Sequence, residues 1–175
     1  MAAANLAERL SSLFDAHYDR LYRLARRLVP RADDARDLVQ ETFLKAANSL
    51  KSVPSGSTAE EEAWLVRVLI NIRRDQWRKA GARHRLNLKA DHAVRDSRSP
   101  EAVLIAKTTV WRALDLLPPR RRAIVVMHEL EGMSVPAIAS LLGITAITVR
   151  WHLSVGRRDL TRALKPVRGD SNENH

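Results

Sequence analysis

Apolar residues recur every three or four positions through seven stretches of this chain, and no run alternates apolar with polar residues long enough to make a strand. That periodicity leaves helices packing on helices as the available architecture. The expected helices are 6–29, 32–48, 59–79, 100–117, 119–131, 135–142 and 146–164. Start signals support several of them. Ser99 stands before Pro100 and Glu101, a cap followed by proline in the first turn. Ser134 can cap the helix from Val135, and Thr145 the one from Ala146. Residues 49–62, "SLKSVPSGSTAEEE", are rich in Ser, Pro and Gly and read as an irregular loop. Residues 80–100 are polar and weakly periodic and read as a linker. The expectation is an all-α protein of two small helical domains joined by a flexible linker. Their bounds are 1–80, 81–99 and 100–168, with 169–175 as a disordered tail.

Charge narrows the partners. Thirty Lys and Arg stand against twenty Asp and Glu, a formal net charge of +10, which favours nucleic acid or an acidic membrane surface. Cysteine is absent, so there is neither a disulfide framework nor a thiolate metal site. The six histidines show no metal-ligand spacing, and no glycine-rich phosphate loop or nucleophile–base motif stands out. The chain is expected to be no enzyme and to use no cofactor or metal. "MAAANLAERLSSLFDAHYDRL" is unlike a secretory signal, and "WLVRVLI" is too short to span a bilayer. The expectation is a soluble, cytoplasmic protein without membrane insertion.

"MSVPAIASLLGITAITVRWHL" has the layout of a helix-turn-helix. Ile138, Ala139, Leu141 and Leu142 give the first helix an apolar face, and Gly143 can take the positive φ that ends it. On the second helix, Val149, Leu153, Gly156, Leu160 and Ala163 fall within one arc at about 100° per residue. Ile147, Arg150, Trp151, Ser154, Arg157 and Arg158 fall on the opposite, outward side. An outward arginine can bind guanine by two hydrogen bonds, and others can hold phosphate. Trp151 can pack on sugar or a thymine methyl, or dock on a neighbouring helix. The four-helix C-terminal domain is thus expected to read DNA in a major groove.

In the first half, Arg67, Asn71, Arg74 and Arg78 form a narrow stripe, opposite Trp64, Leu65, Val68, Leu69 and Ile72. Arginine and amide beside a flexible loop can hold a single strand. Trp64 fits a core anchor better than a stacking residue, and Trp77 is left as packing or interface. On the helix before it, Val39, Phe43, Ala46 and Leu50 share one face, and Asp37, Gln40, Glu41 and Leu44 another. An acidic, amide-bearing face in a basic protein suits a basic protein partner.

These motifs bring a family into view. "LDLLPPRRRAIVVMHELEGMSVPAIASLLGITAITVR" resembles the −35-reading domain of bacterial extracytoplasmic-function (ECF) sigma factors. "HYDRLYRLARRLVPRADDARDLVQETFLKAANSL" resembles their first conserved region, and "AWLVRVLINIRRDQWRK" their promoter-melting helix. The resemblance covers residues 13–164 apart from most of the linker. It implies a sigma factor that binds core RNA polymerase, through the β′ clamp helices and the β flap, and directs it to promoter DNA. By resemblance, Asp37, Gln40, Glu41 and Leu44 meet the clamp helices. Arg67, Asn71, Arg74 and Arg78, with the preceding loop, receive the opened −10 element. Thr145, Ile147, Thr148, Arg150, Trp151, Ser154, Arg157 and Arg158 face the −35 element. The basic linker residues Arg83, His84, Arg85, Lys89 and Arg95 would run through the polymerase. An anti-sigma factor is a further partner that the family implies.

Three features depart from the family. The loop 49–62 is long, lacks an aromatic residue and ends in Glu60, Glu61 and Glu62. Ala137 stands where a glutamate usually closes a capping box with the serine. The recognition helix carries Ile147, Trp151, His152, Val155 and Gly156 where the family often reads "GTV.SR...RAR". The rival reading is a helix-turn-helix regulator of the response-regulator or quorum-sensing type, from "ITVRWHLSVGRRDL". It leaves "DLVQETFLKA" without an account.

Overall fold

The computed structural model describes residues 2–87 and 102–164, with side chains within 7–82 and 109–164. It comprises α1 (Ala2–Leu28), α2 (Ala32–Asn48), a 3₁₀ turn (Leu50–Ser52), α3 (Thr58–Asn87), α4 (Ala102–Asp115), α5 (Pro119–Glu129), α6 (Val135–Leu142) and α7 (Ala146–Leu164). No strand occurs among the described residues. The expected cap at Ser99 and Pro100, the linker residues Lys89 and Arg95 and the tail 169–175 lie outside them.

The expected bounds of α2, α6 and α7 agree with the structure; α3 differs most. It was expected to end near Lys79 and continues to Asn87, so Arg83, His84 and Arg85 stand on helix and not on linker. Weak amphipathicity hid this, because the segment has no apolar stripe to bury. Its Ala, Arg and Leu residues favour helix, and Gly81 costs only about 1 kcal/mol relative to Ala.

In the first half, α1, α2 and α3 pack on one another. Leu21, Leu24, Leu38, Val39, Leu65 and Leu69 are fully buried, each contributing roughly 1.5–3 kcal/mol. Phe43, Ala46 and Leu50 join them, as their shared face predicted. In the second half, α7 packs on α4, α5 and α6. Val149, Leu153 and Gly156 are buried, whereas Ala163, expected on that side, is exposed. It lies in the last turn of α7, so the arc continues past the end of what it packs on.

Gly156 sits where α7 comes closest to α5. A Cβ there would stand 2.7 Å from Val125 Cγ2 and 3.3 Å from Arg121 Cγ. Val125 is buried and β-branched, so it has little room to turn away. Gly156→Ala should therefore destabilise the protein by about 1–3 kcal/mol from overpacking, despite alanine's better helix propensity. A lower thermal midpoint checks this, and an unchanged or raised one contradicts it.

The two halves also touch. A single apolar cluster runs from Leu13 and Leu24 through Leu65 and Ile70 to Ile124, Met127, Ile138 and Leu153. Helix α3 lies at its centre, against α1 and α2 on one side and α5 and α6 on the other. Val66 and Ile70, outside the apolar face the periodicity assigned to α3, are buried as well.

Polar groups finish the same contact. The last carbonyls of α1 have no intrahelical partner. Arg73 Nε of α3 donates to Leu28 O at 3.4 Å, and Arg122 Nε of α5 donates to Arg27 O at 2.8 Å. Both cations suit the negative end of the α1 dipole. Arg122 is almost fully buried and pairs with Asp115. Burial lowers its pKa against the pull of that carboxylate; Arg73 is lowered by burial and by the charge of Arg122. Glu131, after α5, accepts from Arg20 at 2.8 Å and Arg27 at 2.6 Å. Burial alone would lower the pKa of Arg20, but the carboxylates of Glu131 and Glu62 outweigh it and raise it.

Candidate nucleic-acid interface

The tight turn between α6 and α7 sets the reading helix. Gly143 has φ 63°, ψ 41°, the left-handed region where a side chain is strained, and its N–H closes on Ser140 O. Ser134 Oγ accepts from Ala137 N at 3.3 Å, so the first helix is capped although Ala137 returns no carboxylate. Thr145 Oγ1 accepts from Thr148 N at 3.2 Å and caps α7. The two axes meet at 110°, within the range of about 90–120° for a DNA-reading helix pair.

This crossing buries Val149 and Leu153 and turns the opposite face of α7 outward. Thr145, Ile147, Arg150, Trp151, Ser154, Arg157 and Arg158 are exposed, and Thr148 is half-buried. Ile147 is 75% and Trp151 55% exposed, and four residues apart on one helix face they form a small apolar patch. The docking reading of Trp151 holds in part. The Arg121 guanidinium of α5 lies 5.5 Å from its ring, and His152 meets it edge-on at 4.8 Å. Arg121 is fixed in turn by Asp159 at 2.8 Å. The indole is braced on one side and open on the other.

Beside it, His128, Val135, Arg150, Leu153, Ser154 and Arg157 line an open concavity of about 440 Å³. Two arginines at such a hollow suit a phosphate group. Arg157 is held by Glu129 at 2.7 Å, and His128 Nδ1 donates to Met133 O at 2.9 Å. Glu129, Arg121 and His128 went unnoticed in the sequence, because each reaches this face from α5, across the fold.

His152 has its pKa lowered by burial first and then by the charges of Arg121 and Arg120. The fold therefore favours neutral imidazole. The unfolded chain binds a proton that the folded chain resists, so stability should fall as pH drops through about 6.5, the unfolded value. His152→Gln should flatten that slope in melts between about pH 5 and 8; an unaltered slope would put its origin elsewhere.

The first half presents two other sets. Asp37, Gln40, Glu41 and Leu44 are all exposed along α2, Leu44 at 57%. Glu41 Oε2 accepts from Gln76 Nε2 of α3 at 3.0 Å. The stripe on α3 is less uniform than its spacing suggests. Arg78 is exposed, whereas Arg67, Asn71 and Arg74 are half-buried. Arg67 Nη1 donates to Leu141 O of α6 at 3.3 Å and lies beside Gly143. One end of the stripe is thus covered by the helix-turn-helix. Arg74 and Arg78 lie near Asp75. Among the described residues no group of His, Cys, Asp and Glu could hold a metal ion, and no single helix is long and apolar enough to cross a membrane.

The described residues are all helical, with an exposed helix-turn-helix and a second, arginine-striped unit, and family models place the chain in the sigma-70 class. Two family models match it in chain order, sigma-70 region 2 over residues 13–83 and sigma-70 region 4 over residues 107–160. The chain belongs to the ECF RNA polymerase sigma factors. It is 36% identical over 152 residues to the ECF sigma factor SigE of Mycolicibacterium smegmatis, covering 82% of this chain and 57% of that protein. With SigM of Mycobacterium tuberculosis it shares 32% over 152 residues, 87% of this chain and 75% of the other. With SigL of the same species it shares 32% over 169 residues, 95% of this chain and 94% of the other. Among solved structures it resembles the Bartonella quintana sigma factor RpoE, bound to the anti-sigma factor NepR. The TM-score is 0.59 at 26% identity, over 94% of this chain and 99% of that one. CnrH, bound to the cytosolic domain of CnrY, gives 0.60 at 25% identity, over 93% and 94%. The match to region 2 accounts for "DLVQETFLKA", which the rival regulator reading could not.

Proposed function

We propose that this chain binds core RNA polymerase and directs it to promoters, reading the −10 element with α3 and its preceding loop and the −35 element with α7. The observation that carries this is the outward face of α7, where Ile147, Arg150, Trp151, Ser154 and Arg158 stand exposed beside a buried, capped scaffold. The chemistry required is binding only. Preferential contact with an opened strand shifts duplex towards melting without any catalytic group. Asp37, Gln40, Glu41 and Leu44 are assigned to the polymerase. Arg67, Asn71, Arg74 and Arg78 are assigned to the −10 strand. Thr145, Ile147, Thr148, Arg150, Trp151, Ser154, Arg157 and Arg158 are assigned to the −35 duplex. Two units fit this division, the first carried past residue 80 to the end of α3 at Asn87 and the second expected at 100–168.

Promoter binding then requires the two halves to part. The elements are centred about 25 base pairs apart, roughly 85 Å of duplex at about 3.4 Å per step. Here Arg67 of the −10 stripe touches Leu141 of the helix-turn-helix. A chain in this closed form cannot meet both elements at once, so free protein should bind promoters poorly and core polymerase should favour the open form. Both solved relatives are complexes, RpoE with an anti-sigma factor and CnrH with the cytosolic domain of CnrY, which supports an anti-sigma partner here as well.

Transcription from a promoter library with core enzyme plus this protein tests the reading. Enrichment of paired −10 and −35 sequences is expected. Tight, specific promoter binding by the free protein, with no initiation when core is added, would instead fit a stand-alone regulator.

A further inference from the structure

The segment 49–62, irregular up to Ser57 and helical in its acidic end where α3 begins, is the part of the −10 site that departs most from the family, and that acidic end is the wrong charge for a nucleic-acid strand. The structure shows where those acids go. Glu61 Oε2 accepts from His17 Nε2 at 3.2 Å, and Glu62 Oε1 accepts from Arg20 Nε at 3.1 Å. His17 is 2% exposed. In the loop itself, Arg9 Nη2 donates to Val53 O at 2.9 Å and to Pro54 O at 3.4 Å. All three donors stand on one face of α1, at steps of eight and three.

We infer that Arg9, which holds the loop, and His17 and Arg20, which hold the start of α3 where the loop ends, are positioning residues on α1 that together set which bases the −10 site accepts. The inference rests on the proposal that this loop receives the −10 strand. The loop has little else to hold its middle. Its 3₁₀ turn closes with Ser52 N on Ser49 O and Val53 N on Leu50 O. Leu50 and Val53 are buried and anchor that turn in the core. Ser57 caps α3 through Glu60 N. Between Val53 and Ser57 the backbone follows no helix, and Arg9 grips it at the first two carbonyls. A site that must fit extruded bases discriminates only if its walls are set beforehand, because a loose loop adapts to wrong bases as readily as right ones. Glu61 and Glu62 are therefore clamp points, turned towards α1, whereas Glu60 stays exposed beside Gly56 of the loop. Glu60 and Glu61 in the first turn of α3 also suit the positive end of its dipole.

Arg20 also holds Glu131 of the second half, so changing it would disturb two contacts at once. Arg9 and Glu61 are the cleaner probes. The experiment is library transcription with core enzyme and the full chain, both elements randomised, for wild type, Arg9→Ala, Arg9→Lys, Glu61→Ala and His17→Gln. Arg9→Ala and Glu61→Ala should each lower base discrimination at −10 by about 3- to 10-fold while the −35 preference stays as in wild type. His17→Gln keeps a donor for Glu61 and should keep most of the preference, and Arg9→Lys should restore part of it. Leu50 and Val53 remain buried in Arg9→Ala, so its melting temperature should change little. A −10 preference identical to wild type in both alanine variants overturns the inference. So does a parallel loss at −10 and −35 together with a lower melting temperature, which marks a general structural role. If wild type initiates at no promoter, the sigma-factor reading itself fails, and the inference with it.

Discussion

Glu131→Lys should open the protein. Its carboxylate is 10% exposed and sits between Arg20 and Arg27 at 2.8 and 2.6 Å. Lysine would put a third cation where two already converge. Removing one partner of a fully buried pair costs about 3–5 kcal/mol; the two arginines keep some water here, so about 2–3 kcal/mol is expected. The loss falls on the contact between the halves, because Glu131 lies in the second half and both arginines in α1. Scattering should show a larger radius of gyration, and the melt should come earlier or split in two. With the −10 stripe uncovered, free protein should also bind promoter DNA better than wild type. If Glu131→Lys stays as compact and stable as wild type, apolar contacts such as those of Val66 and Ile70 hold the halves, and the ion cluster does not.

The double reversal Asp37→Lys, Glu41→Lys should remove core polymerase binding and leave the fold in place. Both side chains are exposed, on the face of α2 opposite the buried Leu38, Val39, Thr42 and Phe43. Surface changes of this kind usually stay within about 0.5 kcal/mol, and the one lost hydrogen bond, from Gln76, is exposed to water. Against a basic partner, two reversals turn attraction into repulsion. A drop of at least 100-fold in affinity is expected, about 2.7 kcal/mol. Co-purification with core enzyme checks it, with circular dichroism as the control for folding. A folded variant that still co-purifies would show that α2 is not the clamp-facing helix.

Local features were legible because local physics decides them. Ser134, Thr145 and Gly143 mark their helix ends by cap chemistry and by the φ that only glycine takes without strain. On α2, spacing alone gave Val39, Phe43 and Ala46, but not Ala35, Leu38 or Thr42, which packing between α1 and α3 also buries. The end of α3 did not, since a helix without an apolar stripe gives periodicity nothing to detect. Gly156 fell on the buried arc by its angle, but nothing nearby in the chain says that Val125 lies opposite. Arg67 shows the same limit from the other side. Its spacing joins it to Asn71, Arg74 and Arg78, and tertiary packing hands it to Leu141. Glu61 and Glu62 look misplaced in a nucleic-acid site by sequence alone, because their partners stand 44 and 42 residues earlier, on α1.

The sequence by itself determined the helices, the helix-turn-helix with its outward arginines and tryptophan, and the family. Each of these is written in neighbours a few residues apart, where backbone preference and apolar spacing act. Only the tertiary structure decided that the halves close on each other, that Glu131 joins them, and that α1 holds the loop before α3. Those contacts pair residues 42 to 111 positions apart, and a charged side chain carries no mark of which distant partner it will meet once the chain has folded.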